Sequence, residues 1–478
     1  MKKTFLFAFI AVWTVGSTIM PLSMCGQTAK TFTVNITTDG TSNMQVFIPE
    51  NLSGRAIVDC PGGGYTHLSM QSEGTDWAEY FNAQGIIYGV LKYRMPGGDR
   101  TLPMSDAQNA IIMMRDSAEA WGVNPYDVGI MGFSAGGHLA STTATHAPIE
   151  ARPNFQILFY PVISMEEKIS HKGSVVGFLG DNRSDEKLVK AFSNDKQVWR
   201  HTTPPAFILY AGDDLAVPPL TNGLPYYIAL RKAGVPAELH VYPDGGHGFG
   251  FKSTFKYHDA MLSALSTWLD ALPAPKATAK RVACIGNSIT DGFGIDLSDV
   301  NGYPAQLQNI LGDDYYVQNF GVSARTMLSK GNLPYVNENA WKEAKTFNPD
   351  IVVIKLGTND SKPMNWDEHG DEFGTDLQAM IDALQALPAK PVIYLCTPIH
   401  CGDYVSSDPQ DQIRDSVITA GVIPAIEKVA KKNKLTLIDL NPTIDVTSGE
   451  LIQRDKIHPT PKGAKIIAQT IAQAISGQ

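Results

Sequence analysis

Cysteine is scarce in this chain, five residues among 478, which excludes a disulfide scaffold as the source of its stability. Charged residues are also few, at 18%, and they lean negative, with 39 Lys and Arg against 48 Asp and Glu. A net charge of −9 does not suit a protein that tracks phosphates, so nucleic acid is not an expected partner. Beyond the N-terminus no apolar run is long enough to span a bilayer, and no repeat appears within either half. Small molecules or neutral polymers fit such a surface better.

What is present is length and apolar residues: 43% of the chain is hydrophobic, and 478 residues accommodate two α/β domains of roughly 200 to 250 residues each. Lys2 and Lys3 precede an apolar stretch in the layout of an export signal, which sets residues 1–27 apart from the folded body. The expected location is therefore periplasmic, secreted or on the outer membrane as a lipoprotein. Leu22, Ser23 and Cys25 follow a lipoprotein cleavage box, with Met24 where a small residue is usual, so lipidation at Cys25 stands beside plain secretion. The stretch "ALPAPKATAK", residues 271–280, has a linker's composition. It divides a first domain over 28–272 from a second over 281–478, with the linker proper at 273–280. Cys60 and Cys284 read as buried small hydrophobes. Cys396 and Cys401 could pair in an oxidising compartment, although nothing fixes their geometry.

Short apolar runs alternate with helical patterns on both sides of the linker. "AIVDCP", "VGIMGF", "FQILFYP" and "AFILYAG" read as strands in the first half, and "DIVVIKLG", "PVIYLCT" and "LTLIDL" in the second. Between them, residues 105–121 place Ala107, Ala110, Ile111, Met114, Ala118 and Trp121 at helical spacing. Such alternation predicts mostly parallel sheets with helices on both faces, an α/β class in each half.

"IMGFSAGGHLA" sets Ser134 between two glycines, after a strand and before a helix that opens with small residues. That context turns a weak GxSxG pattern into a nucleophile elbow, with a helix N-terminus adding donors behind the serine. The loop "DCPGGGYTHLS" offers Gly63 and Gly64, with the amide of Ala135, as donors to a developing oxyanion. Asp213 and Asp214 end one later strand and His247 follows the next, where ligands bind in open α/β sheets. His138 and His240 read as packed residues, and His67 as a neighbour of the substrate at most.

These blocks, with "LKYR", "PPAFILYAGDDLAVP" and "LRKAGVPAELHVYPDGGHGFG", resemble the α/β-hydrolase esterases of the acetylxylan and related carbohydrate esterase branch over about residues 40–272. The resemblance implies Ser134 as nucleophile and His247 as base. It selects Asp214 over Asp213, because the family's acid precedes a Val-Pro pair by three residues. Most members have His where Pro61 stands, a change that leaves the backbone donors intact. The charged segment between "FQILFYP" and the acid lacks a lipase lid's apolar face and is expected to wall a sugar-facing cleft.

The second half carries no GxSxG. "RVACIGNSITDG" places Ser288 after a strand, where the motif alone requires a serine only to cap a helix. "VQNFGVSART" adds Gly321, "VIKLGTNDS" adds Asn359, and "QRDKIHPTPKGAK" adds Asp455 and His458, three residues apart. A glycine N–H and an asparagine amide suit an oxyanion, and an Asp and His one turn apart suit an orienting acid and base. The four blocks in order resemble the SGNH, or GDSL-type, hydrolases over about residues 281–476, with a flavodoxin-like fold. That resemblance implies Ser288 as nucleophile, His458 as base, Asp455 as orienter, and Gly321 and Asn359 in the oxyanion hole. Asn287 stands where Asp is usual, and Ala324 where a second glycine is common.

Together these resemblances imply a three-layer α/β/α hydrolase in each half and a two-centre serine esterase that deacetylates a plant polysaccharide or oligosaccharide. No metal or organic cofactor is required by such chemistry. Feruloyl esterase, sialate O-acetylesterase, an amide-cleaving peptidase, and one half acting only as a binding module are the alternatives. Tyr65, Phe249, Tyr303 and Trp341 are aromatics that read as core rather than as sugar platforms.

Overall fold

The computed structural model describes residues 30–402 and 405–477; the expected export signal and Cys25 lie outside them. The first half forms an eight-stranded sheet from β1 (Lys30–Asn35), β2 (Asn43–Ile48), β3 (Ala56–Cys60), β4 (Ile87–Lys92), β5 (Val128–Phe133), β6 (Gln156–Phe159), β7 (Ala206–Ala211) and β8 (Ala237–Tyr242). Their order is β1-β2-β4-β3-β5-β6-β7-β8, antiparallel where β2 meets β1 and β4, and parallel from β4 onward. β3, β5, β6 and β7 are buried along their whole length, because helices cover both faces. Val58 pairs with Ile130 and Met131 with Ile157 in fully buried register, each apolar side chain contributing about 1.5–3 kcal/mol.

The second half forms an all-parallel sheet of β9 (Lys280–Gly286), β10 (Tyr315–Gly321), β11 (Ile351–Lys355), β12 (Val392–Cys396) and β13 (Thr436–Ile438), in the order β10-β9-β11-β12-β13. Side chains alternate between two cores. Ala283, Ile285, Val352 and Leu395 pack with Trp341 and Phe373 on one face, and Val282, Cys284, Val353 and Cys396 pack with Tyr303 and Ile467 on the other. The chain steps from β9 to β10 on one side and returns to β11 on the other. The C-terminal end of β9 therefore borders the crevice where such sheets bind ligands.

The helix expected over 105–121 runs Thr101–Asp116 and is followed by a separate turn, Ala118–Trp121, that ends on Gly122. Cys60, Cys284, Cys396 and Cys401 are all buried and free, so the pairing of Cys396 with Cys401 does not form. Burial pushes the Cys396 and Cys401 thiols up to about 12. Among the described residues no helix is long and apolar enough to cross a membrane, and no side-chain cluster could hold a metal ion.

The two halves touch. Arg152 bonds Glu343 at 2.7 Å, Asn154 donates to the Tyr316 hydroxyl at 3.0 Å, and the rings of Tyr126 and Tyr316 lie 4.7 Å apart.

Candidate active sites

Ser134 is the first residue of the helix Ser134–His146, directly after β5, and its φ of 50° is the strained elbow expected of GxSxG. The turn needs glycine for close approach: a Cβ on Gly136 would lie 1.9 Å from the Cys60 carbonyl oxygen on β3. His247 Nε2 lies 2.8 Å from Ser134 Oγ, and its Nδ1 lies 2.7 Å from Asp214 Oδ2. The other Asp214 oxygen accepts the amides of Ala216 and Val217 at 2.9 and 2.8 Å, and the carboxylate is sealed from solvent. Asp213 turns outward and accepts the Gly246 amide at 2.8 Å, so the geometry brings Asp214 and not Asp213 to the histidine.

Gly62 lies against Ser134, where an added Cβ would come within 3.0 Å of the serine Cβ. Its amide is spent on Glu73 Oε2 at 3.1 Å. Among the described residues the amides of Gly63 and Gly64 have no protein acceptor, and both glycines hold positive φ. Glu73 is a buried residue that the sequence did not single out. Its second oxygen accepts the Tyr160 hydroxyl at 2.8 Å, and that hydroxyl accepts the Gly250 amide at 2.9 Å. Tyr160 also packs its ring 4.9 Å from His247. One carboxylate thus ties the glycine loop, the residue after β6 and the histidine loop together.

His138 is buried between the Tyr65 hydroxyl and the Phe192 carbonyl, both at 2.8 Å, and burial lowers it to about 4. It is a neutral packed residue, as expected. His240, on the edge strand β8, packs its ring 5.0 Å from that of Phe207, as expected of a packed residue, but is half-exposed rather than interior, with Glu238 at 3.1 Å. His67 is exposed and contacts Thr66.

In the second half Ser288 opens the single turn Ser288–Asp291 after β9. His458 Nε2 lies 2.7 Å from Ser288 Oγ, and His458 Nδ1 lies 2.6 Å from Asp455 Oδ2. Asp455 Oδ1 accepts the amides of Ile457 and His458, both at 3.0 Å. Burial raises the Asp455 carboxyl, but the His458 amide and imidazole and the Ile457 amide outweigh it and hold the group below the usual carboxylate range. The ring of Phe293, half-exposed, covers His458 at 4.8 Å.

Asn359 follows β11, is buried, and donates through Nδ2 to the Arg325 carbonyl at 3.1 Å, which leaves its second N–H for another acceptor. Gly321 differs from the expectation. Its amide is taken by Asn319 Oδ1 at 2.8 Å, and glycine is needed because a Cβ would lie 2.3 Å from the Asp291 amide nitrogen. The two departures from the family pattern also find physical accounts. Ala324 holds a φ of 69°, the left-handed region in which glycine is common, and Asn287 caps the turn by accepting the Ile289 amide at 3.1 Å. Tyr65, Phe249, Tyr303 and Trp341 are buried, as expected of core, whereas Trp199 is, among the described residues, the large aromatic most open to solvent.

Two family models match the chain: "alpha/beta hydrolase fold" over residues 57–251 and "GDSL-like Lipase/Acylhydrolase family" over residues 284–466. The chain is 53% identical to an acetylxylan esterase of Xylanibacter ruminicola, over 96% of this chain and 98% of that one. It is also 35% identical to an endo-1,4-beta-xylanase B of Butyrivibrio fibrisolvens, over 39% of this chain and 31% of that one. Among solved structures, an acetyl ester-xyloside bifunctional hydrolase of Caldicellulosiruptor lactoaceticus matches at 32% identity and a TM-score of 0.47, covering 52% of this chain and 98% of its own. The chain belongs to the family of two-domain serine ester hydrolases that the Xylanibacter ruminicola protein represents, an α/β-hydrolase fold joined to a GDSL-like acylhydrolase.

Proposed function

We propose that the protein is an exported esterase with two serine centres that removes O-acetyl groups from acetylated xylan or its oligosaccharides. The observation that carries this reading is the pair of Ser–His–Asp chains, with serine–histidine distances of 2.8 and 2.7 Å, in a relative of an acetylxylan esterase. In each centre the serine Oγ attacks the acetyl carbonyl carbon while the histidine Nε2 takes its proton. Asp214 or Asp455 holds the resulting imidazolium by its Nδ1–H. The oxyanion faces Gly63, Gly64 and Ala135 in the first centre, and Asn359 with the Ser288 amide in the second. Collapse breaks the bond to the sugar oxygen, which takes the imidazolium proton and leaves as a hydroxyl, and an acetyl-serine remains. Water, deprotonated by the same histidine, then attacks the acyl carbon, and collapse releases acetate as the imidazolium returns its proton to the serine Oγ.

Acetate release from acetylated xylan by the Ser134→Ala, Ser288→Ala and doubly substituted chains tests the reading. Each single variant is expected to retain the other centre's activity, and the double variant none. A single substitution that removes all acetate release overturns the two-centre reading.

The apolar run after Lys2 and Lys3 supports export, and Cys25 supports an anchored form. Incorporation of labelled palmitate, lost in Cys25→Ala, separates the anchored form from the free one.

A further inference from the structure

The turn that carries Ser288 is short, and its last residue is held from outside its own domain. Asp291 Oδ1 lies 2.9 Å from His201 Nε2, and the Asp291 carbonyl 2.8 Å from the same nitrogen. His201 belongs to the first half, in the segment between the helix Glu186–Phe192 and β7. Its Nδ1 lies 2.5 Å from Asp299 Oδ1, so both ring nitrogens meet carboxylates of the second half. The imidazole is buried, and the residue holds a φ of 64°, a conformation that the surrounding contacts must maintain. Burial alone would lower its pKa; Asp299 and Asp291 outweigh burial and hold it up at about 9, so the ring is a cation at neutral pH.

Asp291 passes this restraint to both sides of the second centre. Its other oxygen accepts the Ser323 hydroxyl, two residues after Gly321, and its amide bonds the Asn287 carbonyl beside Ser288 at 2.9 Å. Asn319, 3.3 Å from the same imidazole, donates to the Thr290 carbonyl at 2.8 Å and accepts the Gly321 amide at 2.8 Å. The nucleophile turn and the glycine strand end are therefore tied to each other through Asn319 and Asp291, and Asp291 is held by one side chain of the other domain.

We propose that His201 is a positioning residue of the second centre: it fixes Asp291, so that the Ser288 turn is set against His458 only when the first domain is docked. This inference rests on the reading of Ser288 as a nucleophile. It assigns the segment around His201 a role in the neighbour's chemistry, beyond walling the first domain's own cleft.

The test uses the full chain. In a Ser134→Ala background, His201→Gln is expected to lower kcat on acetylated xylan about tenfold while KM stays within about twofold. In a Ser288→Ala background the same substitution leaves turnover unchanged. Arg152→Ala breaks an interdomain ion pair that does not involve Asp291, and is expected to leave second-centre kcat within about twofold. The rate at which a fluorophosphonate labels Ser288, read by peptide mass spectrometry, reports the same site without an ester substrate. Slower labelling of Ser288 with unchanged labelling of Ser134 in the chain that carries both serines supports the role of His201, even if the Ser134→Ala chain turns over no xylan, an outcome that sinks the two-centre reading alone. Unchanged Ser288 labelling in His201→Gln, or an equal loss in Arg152→Ala, overturns the inference.

Discussion

The acid and base proposed for the first centre, Asp214 and His247, come from two loops 33 residues apart, whereas those proposed for the second, Asp455 and His458, share one loop, three residues apart. The difference sets what each half must hold rigid. In the first, three strand ends have to converge, and the structure answers with depth: Asp214 is sealed from solvent, and Glu73 and Tyr160 fasten the glycine loop to the histidine loop. In the second, Asp455 travels with His458, so the relation to be fixed is between that loop and Ser288, 170 residues away. Its nucleophile turn is four residues long, and its restraint comes from Ser323, Asn319 and the other domain. The same chemistry can rest on one deep frame or on a shallow loop braced by a neighbour.

Removing the orienting charge sharpens this comparison most. Asp214→Asn, read in a Ser288→Ala background, is expected to lower kcat by about 10⁴-fold, because a fully buried carboxylate cannot be replaced by water. Asp455 is 27% exposed, so Asp455→Asn in a Ser134→Ala background is expected to cost about tenfold less. Equal losses in steady-state kcat break the distinction between a deep and a shallow centre.

The frame itself comes next. Glu73→Gln keeps one acceptor but can no longer satisfy both the Gly62 amide and the Tyr160 hydroxyl. Leaving one of them unpaired in the interior costs about 1–3 kcal/mol of stability. First-centre kcat is expected to fall about tenfold, with the second centre unmoved. Thermal unfolding and the two backgrounds above check both parts. A loss confined to Tm leaves Glu73 a structural residue only.

Much of this arrangement is legible in the sequence. Both serines, both histidines and both acids lie at strand ends or in glycine-bounded loops, where local pattern and chemistry coincide, and four ordered blocks identify a fold better than any single motif. The packed character of His138 also followed from its place on the helix after Ser134. Other features were hidden for definite reasons. The Gly321 amide was read as an oxyanion donor, but a glycine can be required by close approach as well as by donation, and only the position of Asp291 distinguishes the two. Glu73 reaches Tyr160 across 87 residues, and His201 reaches Asp299 across 98, with no periodicity to announce either contact. A polar, charged segment reads alike whether it faces solvent or a neighbouring domain, so "WRH" at 199–201 carried no signal of its partner.

A buried cation in the second half offers a smaller contrast. Lys355 ends β11, is fully buried, and its Nζ has no hydrogen-bond partner among the described residues, so burial lowers it to about 8. Because the folded value lies below the unfolded one, the charge costs stability in full below about pH 8, and the cost fades as pH rises toward the ordinary lysine range. Lys355→Met is therefore expected to stabilise the second half by about 1–3 kcal/mol at pH 7, read as a raised Tm of its unfolding transition. The gain should shrink at pH 10, and a destabilised variant would show that the ammonium has a partner that the fold requires.

The smallest expected effect bears most directly on how the halves cooperate. His201 faces Asp299 and Asp291 from the second half, with Arg200 of its own segment 3.7 Å from Asp291 and Asn319 beside the ring. Its folded pKa of about 9 is raised above the unfolded value, so its contribution is complete below about pH 6.5 and is lost as pH rises through about 9. The guanidinium of Arg200 stays charged throughout and cannot supply this transition. Between pH 8 and 10, second-centre kcat should fall a few-fold relative to first-centre kcat when the two are read in their separate backgrounds, and His201→Gln should flatten that ratio at its lower value. A ratio that stays constant with pH in the parent chain, while His201→Gln still lowers second-centre kcat, would assign the restraint to the shape of the imidazole and its hydrogen bonds and not to its charge.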